Sequence, residues 1–421
     1  MKNRTDIGGV DFISIILYLV LVICGWMNIY AAVYSPEIDM SMFDLSYNAG
    51  KQLLWIILSL LLIGAIFIID YKFYDRFSFL IYGVVILLLL GVLVKGGVTN
   101  GAKSWFELGP VKFQPSELAK LATALAVAKI FTERKIRFSN LKDLMLLGGV
   151  IGLPAILIIL QGDTGSALVF GAFVLVFYRE GLTPLILILG VILITLFVLT
   201  LVYPKLIIVG TIAGIVVVVS IFFRKKLSHI LIVVMFGVIA SSVVYGVDFF
   251  VNDVLQPHQQ NRIKALINPD ADPLGFGWNV TQSKIAIGSG GLSGKGFLKG
   301  TQTKYDFVPE QHTDFIYCTI GEEHGFIGST IVIVLFILFL SRIVMIAERQ
   351  KSTFTRVYAY GVASILFFHF AINVGMTIGL APVIGIPLPF FSYGGSSLWS
   401  FTILLFILLK LDSHRMEDLS R

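Results

Sequence analysis

The stretch of the chain with the most suggestive chemistry is VPEQHTDFIYCTIGEEHG, Val308–Gly325, which opens an apolar run that continues to about Leu340. It places Asp314 at the mouth of this run and Glu322 and Glu323 two turns deeper. Because a charged group within an apolar segment is costly, such residues usually serve a function or pair with polar neighbours. Asp314 is therefore a candidate functional residue, whereas Glu322 and Glu323 either bind protons or hold backbone and polar neighbours.

Two further motifs combine an acid with the expected start of a helix. They are QPSELAK, Gln114–Lys120, and QGDTGS, Gln161–Ser166. A carboxylate at a helix N-terminus can cap free N–H groups and complement the helix dipole. Capping is thus an alternative to substrate binding for Asp163, and at Asp314 the hydroxyl of Thr313 could cap the helix alone.

Lys120 lies three residues after Glu117, about one turn into an apolar helix. It faces a polar cavity or a partner, or else its long side chain reaches back to the membrane interface. With other cations of the long loops it could form an anion-binding site; the alternative for most of them is a solvated face or contact with anionic headgroups. These cations are Lys103, Lys112, Lys120, Arg262, Lys264, Lys284, Lys295, Lys299 and Lys304.

The composition indicates that membrane helices carry these groups. Hydrophobic residues make up 57% of the 421-residue chain, charged residues 14%, and the mean hydropathy is +0.89. Soluble domains carry about 25% charged residues, so we predict an all-α polytopic integral membrane protein with a single domain, 1–421. The net charge of +6 is spread over loops and indicates no nucleic-acid surface. Cys24 and Cys318 lie in apolar runs and are expected to be buried.

We predict about twelve membrane-spanning segments from the lengths of the apolar runs. They are 12–33, 53–69, 77–94, 114–130, 143–160, 164–178, 183–202, 206–223, 228–249, 314–340, 357–379 and 393–409. The pair within 206–249 could instead form one re-entrant hairpin. With both termini in the cytoplasm, positively charged loops such as Arg224–Lys226 fall on the cytoplasmic side. The long loops Lys95–Phe113 and 251–313 then face outward.

Two glycine-rich segments suggest where a substrate would lie. GMTIGLAPVIGIPLPFFSYGGSS, Gly375–Ser397, breaks the last two helices with prolines and glycines. Irregular backbone at membrane depth requires cover from protein or a water-filled cavity, so we predict a crevice there. The glycines of Trp278–Gly296 permit close approach to a phosphate or sugar, or simply form a tight surface loop. The six histidines have no zinc-ligand spacing.

Four motifs resemble those of the SEDS family. They are NGAKSWFELGPVKFQPSELAKLA, QGDTGSALV, QSKIAIGSGGLSGKGFLKGTQTKYDFVPEQHTDFIYCTIGEE and GLAPVIGIPLPFFSYGGSS, and the resemblance extends from Phe12 to about Leu411. GKGFLKGTQ and DFVPEQHTDF are closer to the elongation members than to the division members. The family is described with ten helices, whereas this sequence has twelve apolar segments, the surplus lying around 206–249.

The resemblance implies a peptidoglycan glycosyltransferase of the bacterial cytoplasmic membrane. It would join the disaccharides of lipid II into β-1,4 glycan strands at the outer face during cell elongation. The implied partners are lipid II and lipid-linked glycan, a class B penicillin-binding protein acting as transpeptidase, and other membrane proteins of the elongation complex. Asp314 is the implied catalytic residue. The expected substrate-binding residues are Trp105, Lys112, Glu117, Lys120, Asp163, Lys284, Glu310 and His312.

The chemistry of such a reaction matches the residues available. A β-linked product from an α-linked pyrophosphate donor requires inversion, and therefore one base for the attacking hydroxyl. The pyrophosphate leaving group needs no protein acid, but its charge needs Lys, Arg or a divalent cation such as Mg²⁺ or Mn²⁺. No metal ligands can be assigned, and no organic cofactor is expected because the donor is already activated.

Two other functions use the same features. A lipid II flippase would use the cationic cavity and would bind protons or ions at Glu322 and Glu323. A non-catalytic scaffold for a transpeptidase would have no need of a charged Lys120 within a helix. Polymer formation in detergent separates both from a polymerase, because detergent offers no bilayer to flip across.

Overall fold

The computed structural model of the protein describes residues 9–34, 41–99, 102–109, 111–223, 227–254, 260, 276–305 and 307–415. The helices are α1 Phe12–Val33, α2 Asn48–Ile68, α3 Tyr71–Arg76, α4 Ser78–Lys95, α5 Pro115–Glu133, α6 Leu141–Leu160, α7 Thr164–Leu168, α8 Phe173–Arg179, α9 Pro184–Val202, α10 Lys205–Phe222, α11 Leu227–Phe249, α12 Phe276–Ser289, α13 Ile316–Glu348, α14 Thr353–Thr377 and α15 Gly395–Ser413. A 3-10 turn, Val169–Ala172, joins α7 to α8, and a π-helical turn, Phe250–Val254, follows α11.

The predicted all-α membrane fold is confirmed, and each of the twelve predicted segments falls on helix. Within the described residues, ten helices are long and apolar enough to cross a membrane. The other two segments are α5, whose charges lower its hydropathy, and the interrupted run Thr164–Arg179. The surplus pair is present as α10 and α11, two separate helices that each have the length of a membrane crossing. Arg224–Lys226, between them, lies outside the described residues.

Contacts between residues divide the chain into two compact units. One contains residues up to Gly181 together with those from Gln282 onward, and the other is Leu182–Thr281. In the second unit, α10 packs against α11 and α11 against α9, yet almost none of their residues are buried. Their side chains are apolar all round, which suits helices surrounded by lipid.

The first unit has its centre at α5 and α14, most of whose residues are buried. The two helices pack closely because small residues meet between them, with Gly361 of α14 facing Ala124 of α5. Pro115 occupies the first turn of α5, where its missing N–H has no cost. α13 packs against α1 and α14, and α15 packs against α2.

A small antiparallel sheet lies between α4 and α5, where the sequence predicts only an outer loop. Its strands are β1 Gly97–Thr99, β2 Ala102–Leu108 and β3 Val111–Phe113. Gly97 pairs with Trp105, and Phe106 pairs with Phe113. The sheet therefore leads the chain directly into the first turn of α5.

Candidate active site

The segment that carries Asp314 is fixed by its own backbone. The three successive carbonyls of His312–Asp314 accept hydrogen bonds from Tyr393 N (2.9 Å), Ser392 Oγ (2.6 Å) and Asn373 Nδ2 (2.8 Å). Two of these donors lie in the irregular loop between α14 and α15, and the third lies on α14. Backbone carbonyls therefore fix the position of the segment that carries the half-buried Asp314 carboxylate.

Because Gly385 has no side chain, it leaves space for the Asp314 carboxylate. A Cβ at this glycine would lie 3.2 Å from Asp314 Oδ2, and its φ of +70° suits glycine best. The loop in Gly375–Ser397, where a crevice is predicted, thus lies against one side of the Asp314 carboxylate.

Asp314 stands before the helix and not at its cap. α13 begins at Ile316, and its N-cap, Phe315, has no side-chain hydrogen bond to the first turn. Thr313, the expected cap, instead donates from Oγ1 to Glu310 Oε2 at 2.8 Å, on the exposed surface. The capping interpretation through Thr313 is therefore wrong in this structure.

Lys120 lies in a buried polar cluster on α5. Its Nζ is 2.8 and 2.9 Å from the two carboxylate oxygens of Glu117 and 2.9 Å from His369 Nε2. It also lies 4.9 Å from the ring centre of Phe401. Since Lys120 is 1% exposed, its side chain does not reach back to the membrane interface. Its charge is instead paired with that of Glu117, one turn before it.

The Lys120 cluster and the Asp314 segment are joined through the same loop. His369 Nδ1 is 3.1 Å from Pro387 O, and Asn373 Nδ2 bridges Ile386 O and Asp314 O at 2.8 Å each. Sequence reasoning missed His369 and Asn373. Their spacing of four residues places two polar side chains on one face of an apolar helix, and this signal could have identified them.

Asp163 performs the capping role that was the alternative for it. Its Oδ1 accepts from Ser166 N at 3.0 Å at the start of α7, and its Oδ2 accepts from Gln114 Nε2 at 2.8 Å. It thereby ties α7 to the residue that precedes α5. A role in substrate binding stays a prediction.

The remaining predicted substrate-binding residues lie at the surface or half-buried. Lys112 on β3 is exposed and pairs with Glu107 on β2 at 3.4 Å. Trp105 on β2 is half-buried, and Lys284 on α12 and Glu310 are exposed. Glu310 accepts hydrogen bonds from Thr313 of the Asp314 segment. No hydrogen bond among the described residues joins the other three to that segment or to the Lys120 cluster. Arg262 and Lys264 lie outside the described residues.

No group of three or more His, Cys, Asp or Glu side chains placed to hold a metal ion occurs among the residues that the structure describes. Mg²⁺ commonly takes only one or two protein carboxylates together with substrate phosphates. A divalent cation that binds with the substrate therefore stays a prediction.

Comparisons with known proteins identify relatives along nearly the whole chain. The model of the FtsW/RodA/SpoVE family, described as "Cell cycle protein", matches residues 12–206 and 183–417. The peptidoglycan glycosyltransferase RodA of Treponema pallidum is 34% identical over 96% of this chain and 98% of that protein. The peptidoglycan glycosyltransferase MrdB of Escherichia coli K12 is 35% identical over 82% of this chain and 80% of that protein.

Two solved structures share the fold. A chain solved in work on structural coordination of polymerization and crosslinking by a peptidoglycan synthase complex has a TM-score of 0.70 and 26% identity, covering 97% of this chain and 99% of that chain. The rod shape determining protein RodA of Thermus thermophilus has a TM-score of 0.62 and 26% identity, covering 96% and 97%.

Proposed function

The chain belongs to the FtsW/RodA/SpoVE family as a RodA-like peptidoglycan glycosyltransferase embedded in the membrane, and from this premise we propose that it polymerises lipid II with Asp314 as general base. The product is a β-1,4 glycan strand made at the outer face of the bacterial cytoplasmic membrane during cell elongation. Both termini then lie in the cytoplasm.

The observation that carries the proposal is the fixed backbone of His312–Asp314 beside a half-buried carboxylate. A base must be held within hydrogen-bond reach of the proton that it takes, and three backbone hydrogen bonds provide such a hold. Asp314 accepts the proton of the acceptor hydroxyl, whose oxygen forms a bond to the anomeric carbon of the donor sugar. The bond from that carbon to the pyrophosphate breaks, and the configuration inverts.

Lys120 is the cation that we assign to the leaving group. Lys120 contacts the Glu117 carboxylate and His369, and its ammonium group can exchange the carboxylate for a phosphate without moving its own backbone. A divalent cation, Mg²⁺ or Mn²⁺, would accompany the pyrophosphate and share its charge. Trp105, Lys112, Lys284, Glu310 and His312 would contact the sugars, the peptide or the lipid headgroup.

Transport by Glu322 is the weaker proposal. Both oxygens of this carboxylate accept hydrogen bonds from loop N–H groups, so its contacts are those of a structural anchor. The solved relative from a peptidoglycan synthase complex supports a proposed partnership with a class B penicillin-binding protein, alongside other elongation-complex membrane proteins.

The test is polymerisation of labelled lipid II by purified protein in detergent, with glycan strands resolved by size. We expect strands from the wild-type chain, since neither a flippase nor a scaffold makes polymer in detergent. Failure to form polymer, both alone and with the transpeptidase added, would overturn the proposal. The divalent cation is tested in the same assay by chelation, followed by addition of Mg²⁺ or Mn²⁺.

A further inference from the structure

The glycine loop, Gly290–Gly296, fills a break in α13. Gly325 interrupts the helix with φ 63° and ψ −157°. On one side of the break, the N–H groups of residues 326 and 327 donate to carbonyls of the glycine loop at 2.9 and 3.1 Å. On the other side, the carbonyls of Glu322 and Glu323 accept from loop N–H groups at 3.0 and 2.9 Å. The loop thus satisfies the backbone groups that the break exposes.

The carboxylate of Glu322 binds the residues that follow the glycine loop, Thr301–Thr303, together with Lys295. Its Oε1 accepts from Lys295 Nζ at 2.6 Å and from the N–H groups of Thr301 and Gln302 at 2.7 and 2.8 Å. Its Oε2 accepts from both the N–H and the hydroxyl of Thr303 at 2.9 Å. The side chain is fully buried. A carboxylate is suited to this place because only an acceptor with two oxygens satisfies so many converging donors.

Thr303 connects the Glu322 carboxylate to the residues just before Asp314 through hydrogen bonds. Its carbonyl accepts from Gln311 Nε2 at 2.6 Å, and the same amide also donates to Ala32 O on α1 at 2.9 Å. Gln311 is 2% exposed and lies three residues before Asp314. The segment with the proposed base is therefore held from two sides, by the α14–α15 loop after it and by Thr303 and Gln311 before it.

We propose that Glu322 is a positioning residue for Asp314, acting through Thr303 and Gln311 without touching the substrate. The inference rests on the proposed role of Asp314 as general base. It assigns Glu322 neither to proton transport nor to folding alone: its effect is to fix where the Asp314 carboxylate stands relative to the acceptor hydroxyl.

The primary test is Glu322→Gln, which replaces an acceptor-only group by an amide that cannot satisfy the same donors. Because a small displacement of a catalytic group is costly, we expect kcat for polymerisation to fall about 100-fold. We expect KM for lipid II to stay within about threefold, since the substrate contacts are retained. Thr303→Val removes only one hydroxyl donor to the carboxylate and should lower kcat about tenfold.

A spectroscopic readout separates positioning from general loss of structure. Tyr305 is 62% exposed, so a spin label on Tyr305→Cys reports the mobility of the loop. We expect a narrower spectrum when Glu322→Gln or Thr303→Val is added. Asp412→Asn is the matched control: it alters another fully buried carboxylate, beyond the far end of α13, and should change neither kcat nor the spectrum.

The outcomes separate this inference from the proposed function. Normal kcat in Glu322→Gln and Thr303→Val, with an inactive Asp314→Asn, would overturn the inference alone. Reduced kcat with an unchanged spectrum would also overturn it. Wild-type polymerisation by Asp314→Asn would instead show that Asp314 is not the general base, and would overturn the proposed function of this residue. Should Glu322→Gln fail to fold, the kcat and the spectrum of Thr303→Val decide.

Discussion

Carboxylates lie near both ends of α13, but the groups that bind them differ between the two ends. At the Glu348 end, Asp11 and Asp412 are surrounded by arginines: Arg342 Nη2 lies 2.5 Å from Asp11, and Arg349 Nε lies 3.0 Å from Asp412. Arg349 also binds Asp11, and Gln350 donates to Asp412 at 2.6 Å. At the Ile316 end, the polar groups around Asp314 are held mainly through backbone atoms.

The difference is clearest in the buried polar atoms that have no hydrogen-bond partner in the described part of the chain. Several of them belong to the segments around the proposed site or to the loop that leads to it: Asn28 Oδ1, Ser116 Oγ, Gln161 Oε1, Gln302 Oε1, Thr319 Oγ1, Glu323 Oε2 and Asn373 Oδ1. No such atom belongs to the described residues of the arginine cluster. Each costs about 1–3 kcal/mol. None of this cost falls on the described residues of the arginine cluster, as expected of contacts that stabilise the fold.

The largest expected effect is that of Asp314→Asn. The amide keeps the shape of the side chain but cannot accept the proton, so polymerisation should fall by about 10²–10⁴-fold. The backbone bonds that hold the segment do not involve the carboxylate, and the variant should fold and co-purify with its transpeptidase partner. The measurement is strand yield from labelled lipid II at matched protein amounts. Wild-type yield would show that this end of α13 is not where the chemistry occurs.

Lys120→Met should have the second largest effect. It removes the cation proposed for the pyrophosphate and leaves Glu117 buried without its partner. Polymerisation should fall about 100-fold. Breaking one side of a buried ion pair costs about 3–5 kcal/mol, so thermal stability should fall as well.

A double variant separates the two consequences of losing Lys120. Glu117→Gln in the Lys120→Met background removes the unpaired charge, so thermal stability should recover while activity stays low. Recovery of activity together with stability would mean that Lys120 only supports the fold.

Asp412→Asn tests the opposite end and should affect stability without affecting catalysis. Its carboxylate is buried and accepts from Arg349 and Gln350, so its loss should cost about 3 kcal/mol of unfolding free energy. Strand yield at a temperature where the variant is folded should stay within about twofold of wild type. A large fall in kcat under those conditions would show that this end of α13 contributes to catalysis.

Asp11→Asn provides a second variant at the arginine end. Burial alone would raise the pKa of Asp11, but hydrogen bonds from Arg342 and Ser14 lower it to about 2. A carboxyl with a lowered pKa stabilises the fold above its unfolded pKa of about 3.9, and this contribution is lost as the pH falls toward 2. At pH 7 the variant should therefore show its full loss of thermal stability. An equal melting temperature for variant and wild type would show that Asp11 does not stabilise the fold.

The sequence predicts the helices of this protein much better than it predicts their polar contacts. Each of the twelve segments predicted from apolar length falls on helix, because a membrane crossing requires such length. The Glu117–Lys120 pair follows from local spacing, but His369 reaches Lys120 from a helix 249 residues away in the chain. Contacts of Glu322 with backbone groups were one of the two predicted alternatives, but its partners could not be predicted, because they depend on a loop folding back into the break at Gly325. The sheet at β1–β3 was missed because two of its strands, β1 and β3, have only three residues each.

The smallest expected effects concern the exposed pair of Lys112 and Glu107, which sharpens the contrast between buried and surface charges. Each side chain is more than half exposed, so the pair contributes about 0–1 kcal/mol to stability. Lys112→Gln should raise KM for anionic lipid II about threefold at low salt, and Glu107→Gln should lower it, because each changes the local charge in the opposite direction. Both shifts should disappear above about 0.5 M salt, where charges are screened within a few ångströms. KM measured for both variants across a salt series checks this. A salt-independent loss of kcat in Lys112→Gln alone would mean that Lys112 contacts the reacting groups and belongs to the active site.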